Sequence, residues 1–106
     1  MGIEKIKREQ LDELFDAILS LKSREECYRF FGDLATIREL EVLSQRLEVA
    51  KMLKSGYTYK VIEEKTKSST ATISRVRRSI DYGYDGYKIV LNRVQENKMY
   101  QKADVP

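Results

Sequence analysis

Residues 58–82 read TYKVIEEKTKSSTATISRVRRSIDY, and the spacing of their apolar and polar positions decides the fold. Thr58 is a capping residue type ahead of a short helical run, Tyr59 to Thr66. Lys67-Ser68-Ser69 is a polar turn. A longer helix then runs from Thr70 to about Tyr82, where Gly83 stops it. A short helix, a tight polar turn and a longer helix in this order make a helix-turn-helix over 58–82. At about 100° per residue, Ile73, Val76 and Ile80 share one face of the longer helix and point to the core. Opposite them fall Ala71, Ser74, Arg75, Arg78 and Tyr82. That outer face is small and polar where the helix begins and basic further along.

Such a face suits the major groove of DNA. Small side chains let the backbone approach the base edges, Ser74 can donate or accept, and the Ala71 methyl can meet a thymine methyl. The free amides at the helix start, near Ser69 and Thr70, suit a phosphate. The expected DNA-contact set is Lys60, Lys67, Ser68, Ser69, Thr70, Ala71, Ser74, Arg75, Arg77 and Arg78. Ala71, Ser74 and Arg75 read bases in this scheme, while Lys60, Lys67, Arg77 and Arg78 grip phosphates and set orientation. An ordinary helical hairpin with a solvated basic face is the plain alternative. Charge favours the DNA reading: between Lys51 and Arg78 stand eight basic and two acidic residues, a local +6 in a chain whose net charge is +3. An anionic partner for this region follows from that asymmetry.

Outward from this segment the helical period continues. Leu11, Leu14, Phe15, Ile18 and Leu19 form the stripe of an amphipathic helix expected over about Glu4 to Leu21. Ser23 with Glu26 reads as a capping box opening a short helix, Arg24 to Phe31, and Thr36 with Glu39 repeats the device. The third helix should end at Gly56. Leu40, Leu43, Leu47, Ala50 and Leu53 make its stripe, with Val42, Val49 and Met52 lying off it. So broad an apolar arc in so short a chain is covered either by a second subunit or by a compact monomeric core. Downstream, Asp85 is placed to cap a last helix whose buried face is Tyr87, Val90, Leu91 and Val94.

The 106 residues form one domain on length, 1–97, with residues 98–106 expected to fray. Hydrophobic content of 42% with 35% charged residues excludes disorder and a membrane span. The charged start is no secretion signal, and Ile6 stands where a myristoylation motif needs Ser or Thr. A cytoplasmic location is expected. The chain has one cysteine, Cys27, and no histidine. That leaves no disulfide, no credible metal or cofactor site and no general base near neutral pH, so an enzyme is not expected. Cys27, beside Tyr28, Phe30 and Phe31, reads as a buried core residue.

The stretches Leu43-Ser44-Gln45-Arg46-Leu47-Glu48-Val49-Ala50, Met52-Leu53-Lys54-Ser55-Gly56 and Ser69-Thr70-Ala71-Thr72-Ile73-Ser74-Arg75 resemble the Trp repressor superfamily. Glu26-Cys27-Tyr28-Arg29-Phe30-Phe31 and Tyr82-Gly83 resemble its YerC/YecD branch of bacterial regulators. The likeness spans about Leu11 to Val94. It implies an all-α, six-helix fold and an intertwined homodimer whose two recognition helices meet a palindromic operator with half-sites about one DNA turn apart. It also implies an effector pocket. In tryptophan-sensing members two arginines sandwich the indole and a threonine of the other subunit holds the amino acid; Arg46, Arg75 and Thr36 match these, with Thr72 and Val76 alongside. Val76 replaces the glycine on which the ring packs. Its β-branched side chain should cost a bound indole about 1–3 kcal/mol, so tryptophan is not expected as corepressor. Lys67 stands where the resemblance has a turn glycine, which implies a differently shaped turn.

The reading is a transcriptional regulator of double-stranded DNA, a repressor rather than an activator because no further domain is available to recruit polymerase. Two rivals share its fold: a dimeric protein-interaction module and a sequence-tolerant nucleic-acid binder.

Overall fold

The computed structural model describes residues 2–104, with side chains through position 95. Its described residues form a 3-10 turn, Gly2–Lys5, and six α-helices. These are α1 (Arg8–Leu19), α2 (Arg24–Leu34), α3 (Ile37–Lys54), α4 (Tyr59–Thr66), α5 (Thr70–Tyr82) and α6 (Gly86–Asp104). The all-helical class and the helix count agree with the sequence. By its contacts the chain divides into two compact units, Met1–Leu40 and Glu41–Pro106.

The first unit holds α1 and α2. The first α-helix starts at Arg8 rather than Glu4, after Lys7 in an extended conformation (ψ 123°). Among the described residues Ile3 and Ile6 are the only apolar side chains before Leu11, too few to make a buried stripe for that turn. Ser20 closes α1, its hydroxyl donating to Ala17 O at 2.6 Å. Ser23 caps α2 by accepting from the Glu26 amide at 3.1 Å, and Glu26 Oε1 accepts from the Lys22 amide at 2.9 Å. The helix runs three residues past Phe31, to Leu34, before Ala35 turns extended. At Thr36 the capping box is reciprocal: the Glu39 amide donates to Thr36 Oγ1 at 3.1 Å and the Thr36 amide to Glu39 Oε1 at 2.8 Å. Neither α1 nor α2 contains a buried residue. Cys27, expected in the core, is exposed, because α2 contributes nothing to the chain's own core.

The second unit carries the core: Val49, Ala50, Met52 and Leu53 of α3, Ile62 of α4, Ile73 and Val76 of α5, and Leu91 of α6. Burying aliphatic side chains such as Ile62 or Ile73 contributes about 1.5–3 kcal/mol apiece. The buried part of α3 is its C-terminal half, with Val49 and Met52 included, whereas Leu43 and Leu47 of the expected stripe are exposed. Tyr57 N donates to Met52 O and Gly56 N to Leu53 O, both at 3.1 Å. This is a Schellman closure that needs Gly56 at φ 86°. Gly83 stops α5 with its amide on Ser79 O at 2.9 Å. A Cβ at Gly83 would collide with that same carbonyl.

Asp85 enters α6 at φ 63°, its carbonyl accepting from Ile89 N at 3.0 Å. Leu91 is buried and Tyr87 half-buried, but Val90 and Val94, expected on the same face, are 48% and 43% exposed. Leu91 enters the core and Tyr87 packs against it, so the expected face is wider than the surface available to cover it. The fraying expected from Lys98 falls on residues whose side chains lie outside the described part; the α6 backbone is helical to Asp104. No helix among the described residues is long and apolar enough to cross a membrane.

Candidate nucleic-acid interface

Two hydroxyl caps set the helix-turn-helix. Thr58 Oγ1 accepts from the Val61 amide at 3.3 Å and starts α4. Ser69 Oγ accepts from the Thr72 amide at 3.1 Å and starts α5. Between them Lys67 adopts the left-handed conformation, φ 59° and ψ 25°, with its amide on Glu63 O. A glycine would take this shape without strain. The lysine carries a cost of about 1–2 kcal/mol instead.

The turn is held from beneath. Gln45 Nε2 of α3 donates to Thr66 O at 3.0 Å, and Thr66 Oγ1 donates to Ile62 O at 2.7 Å. The Ser68 amide reaches Thr66 Oγ1 at 3.3 Å, and Ser68 Oγ lies 2.8 Å from the same oxygen. Ser68 is thereby 6% exposed. It faces inward as part of the turn's scaffold, and it leaves the set of side chains open to a partner.

The recognition candidate α5 is anchored as its spacing predicts. Ile73 is 0% and Val76 2% exposed, and Ile80 packs partly buried against the same cluster. On the opposite side Ala71, Ser74, Arg75 and Arg78 are exposed, and Tyr82 is 83% exposed. Lys60, Lys67, Ser69 and Thr70 are exposed around the helix start. Arg77 is exposed as well, but off that outer face. It lies on the flank of α5 toward α6, its Nε 3.1 Å from Asp81 Oδ2, and it borders a cleft with Leu53 and Leu91. The helix rotation from Arg78 to Arg77 is about 100°, enough to carry one arginine off the outer face.

Glu63 is a residue the sequence reading missed. Its carboxylate accepts a hydrogen bond from the Thr70 hydroxyl across the turn. The seven-residue separation spans two elements, so no single-helix spacing rule flags it. Lys65 places its ammonium 5.9 Å from the centre of the Tyr57 ring, a weak cation–π contact that keeps it beside α4.

The five expected effector residues are dispersed by role. Thr36 belongs to the first unit and is engaged in its capping box. Arg46 and Thr72 are half-buried and Arg75 is exposed. Val76 is a member of the hydrophobic core, so its side chain fills core space.

A family model described as the Trp repressor protein matches residues 9–95. The chain is 57% identical over 98 residues to YerC of Bacillus subtilis (strain 168), itself uncharacterised, an alignment covering 92% of this chain and 94% of that one. A crystal structure from Staphylococcus aureus, described as a candidate Trp repressor, superimposes with a TM-score of 0.85 at 59% identity, covering 90% of this chain and 95% of the other. A TrpR-like protein of Eubacterium eligens ATCC 27750 gives a TM-score of 0.83 at 55% identity, over 87% of this chain and 95% of its own.

Proposed function

The chain belongs to the Trp repressor family of helix-turn-helix DNA-binding regulators, which are not enzymes, and from that premise we propose that it is a cytoplasmic repressor binding a palindromic operator as a homodimer. The observation that carries the reading is the two-sidedness of α5: Ile73 and Val76 are buried, while Ala71, Ser74, Arg75 and Arg78 are exposed on the other side. Phosphate contacts from Lys60, Lys67 and Arg78 position the helix, with Ser69 and Thr70 at its start. Ala71, Ser74 and Arg75 meet base edges. Two short side chains in that reading set leave much of the specificity to bridging water and DNA shape.

The dimer is supported by unsatisfied apolar surface. Phe15, Leu19, Leu34, Ile37 and Leu43 are each at least 43% exposed in the isolated chain, and α1 and α2 contain no fully buried residue. Large apolar side chains left exposed in such number mark an interface. An isologous, intertwined pairing covers it and fixes the distance between two recognition helices. Tryptophan is not the corepressor on this reading, because Val76 stands where tryptophan-sensing members have the glycine on which the indole packs.

The test is selection of bound sequences from a random DNA pool, followed by salt-dependent gel shifts and a solution mass. Enrichment of a two-fold symmetric site and a mass twice the 12.4 kDa of the chain are expected. Equal competition by bulk DNA would favour a sequence-tolerant binder, and absence of any shift at low salt would favour a protein-interaction module.

A further inference from the structure

On the flank of α5 away from its outer face, a cleft of about 300 Å³ opens between the end of α3, the second half of α5 and the start of α6. Its floor is apolar: Leu53 and Leu91 are 7% and 8% exposed, with Ile80 and the Tyr87 ring completing the wall. Its rim is cationic. Lys54, Arg77 and Lys88 all border it, and no acidic residue among the described ones does. We propose that this cleft binds a small carboxylate carrying an apolar body.

The cations are placed for it. Arg77 meets Asp81 through Nε alone, at 3.1 Å, so its two Nη groups are open to a second carboxylate in the paired geometry guanidinium favours. Lys88 is held only loosely, 3.7 Å from Asp85 Oδ1 with both side chains more than half exposed. Lys54 donates to Asn92 Oδ1 across the cleft mouth and keeps two further N–H groups. The apolar floor sets the rest of the ligand. An inorganic anion would satisfy the rim and leave the floor wet, whereas an aromatic or branched aliphatic group covers it. The volume lies at the lower end of small-molecule sites.

Arg77 and Ile80 belong to α5, so an occupant touches the recognition helix directly and biases its position. That consequence rests on the DNA-binding reading; the site itself does not.

The experiment uses the full chain without DNA. Phenylacetate, phenylacetamide and inorganic phosphate are titrated separately while methyl signals of Ile80, Leu53 and Leu91 are followed by NMR. Phenylacetate should shift these methyls saturably, with a Kd of about 0.1–1 mM. The neutral amide and phosphate should each bind at least about 10-fold more weakly. The exposed-rim variants Arg77→Gln and Lys88→Gln should each weaken phenylacetate several-fold with methyl dispersion retained. No saturable shift up to about 10 mM, equal response to phenylacetamide or phosphate, or shifts centred elsewhere would overturn the site. DNA titrations with and without phenylacetate then test the coupling. A change in operator affinity of about 3-fold or more is expected, and unchanged affinity with the cleft filled would overturn the coupling while leaving the site standing.

Discussion

Thr70 donates its hydroxyl to the Glu63 carboxylate, tying the first residue of α5 to the body of α4 across the turn. The two helices already pack on one another; this bond adds a polar restraint where the outer face begins. Removing it with Thr70→Val leaves a half-buried carboxylate with one partner fewer. Stability should fall by about 1 kcal/mol in urea unfolding at fixed protein concentration. A variant as stable as the parent would show that the bond contributes nothing.

Lys67 supplies a second local prediction, with two effects of opposite sign. Replacing it with glycine relieves about 1–2 kcal/mol of left-handed strain and adds about 0.5–1 kcal/mol of backbone entropy to the unfolded chain. A net gain of about 0.5–1 kcal/mol is expected. The same change removes an exposed cation beside the recognition helix, so DNA affinity should drop and the salt slope should fall by about 1. A stabilised variant with an unaltered slope would remove Lys67 from the interface.

Arg77 and Arg78 are neighbours in sequence with different expected roles. Arg78→Ala should weaken binding to all sequences and lower the salt slope by about 1. Arg77, paired with Asp81 on the flank, should leave that slope nearly unchanged when replaced by alanine. Ser74→Ala should instead change which bases are enriched in a selected pool. Equal loss on every site for Ser74→Ala would refute its reading role.

Glu39 is a carboxyl whose titration its neighbours displace. The Thr36 backbone amide, followed by the Thr36 hydroxyl, holds its carboxyl below the ordinary value of 4.5. A carboxylate with a depressed folded value contributes stability that is fully present above the unfolded value and is lost as pH falls through the folded one. The start of α3 should therefore loosen only below the ordinary glutamate range. Carboxyl carbon shifts followed against pH should place the Glu39 midpoint below those of other exposed glutamates, and Thr36→Ala should return it toward them.

Much of the architecture was legible because its signals are local. Thr58, Ser69 and Gly83 bound α4 and α5 at the residues expected, and Ile73, Val76 and Ile80 need only helical spacing to declare their face. What escaped the sequence depends on neighbours distant along the chain. Ser68 looks like any polar turn residue until Thr66 and Gln45 are seen beneath the turn. Helical spacing turns Arg77 about 100° from Arg78, but its pairing with Asp81 and its place beside the Leu53–Leu91 cleft depend on α3 and α6, which no local pattern reports. Val90, Val94 and Cys27 have the composition of core residues, yet the chain alone offers them nothing to pack against. Lys67 hides a left-handed backbone because lysine gives no hint of it.

The apolar stripe on α1 gives the most demanding prediction. Leu11, Leu14 and Ile18 are half-buried and Phe15 is 43% exposed in the single chain, so this face remains partly wet unless a second copy covers it. Phe15→Glu would place a charge inside that contact, and burying it unpaired costs several kcal/mol. Sedimentation equilibrium should show dimer association weakened by about 100-fold or more. Operator affinity should fall with it, because two half-sites are no longer engaged by one linked pair. Phe15→Leu keeps the surface apolar and should remain dimeric, which separates lost contact from added charge. Parental dimer affinity in Phe15→Glu would mean that α1 faces solvent through Phe15, and the intertwined pairing would have to be built from α3 and α6 alone.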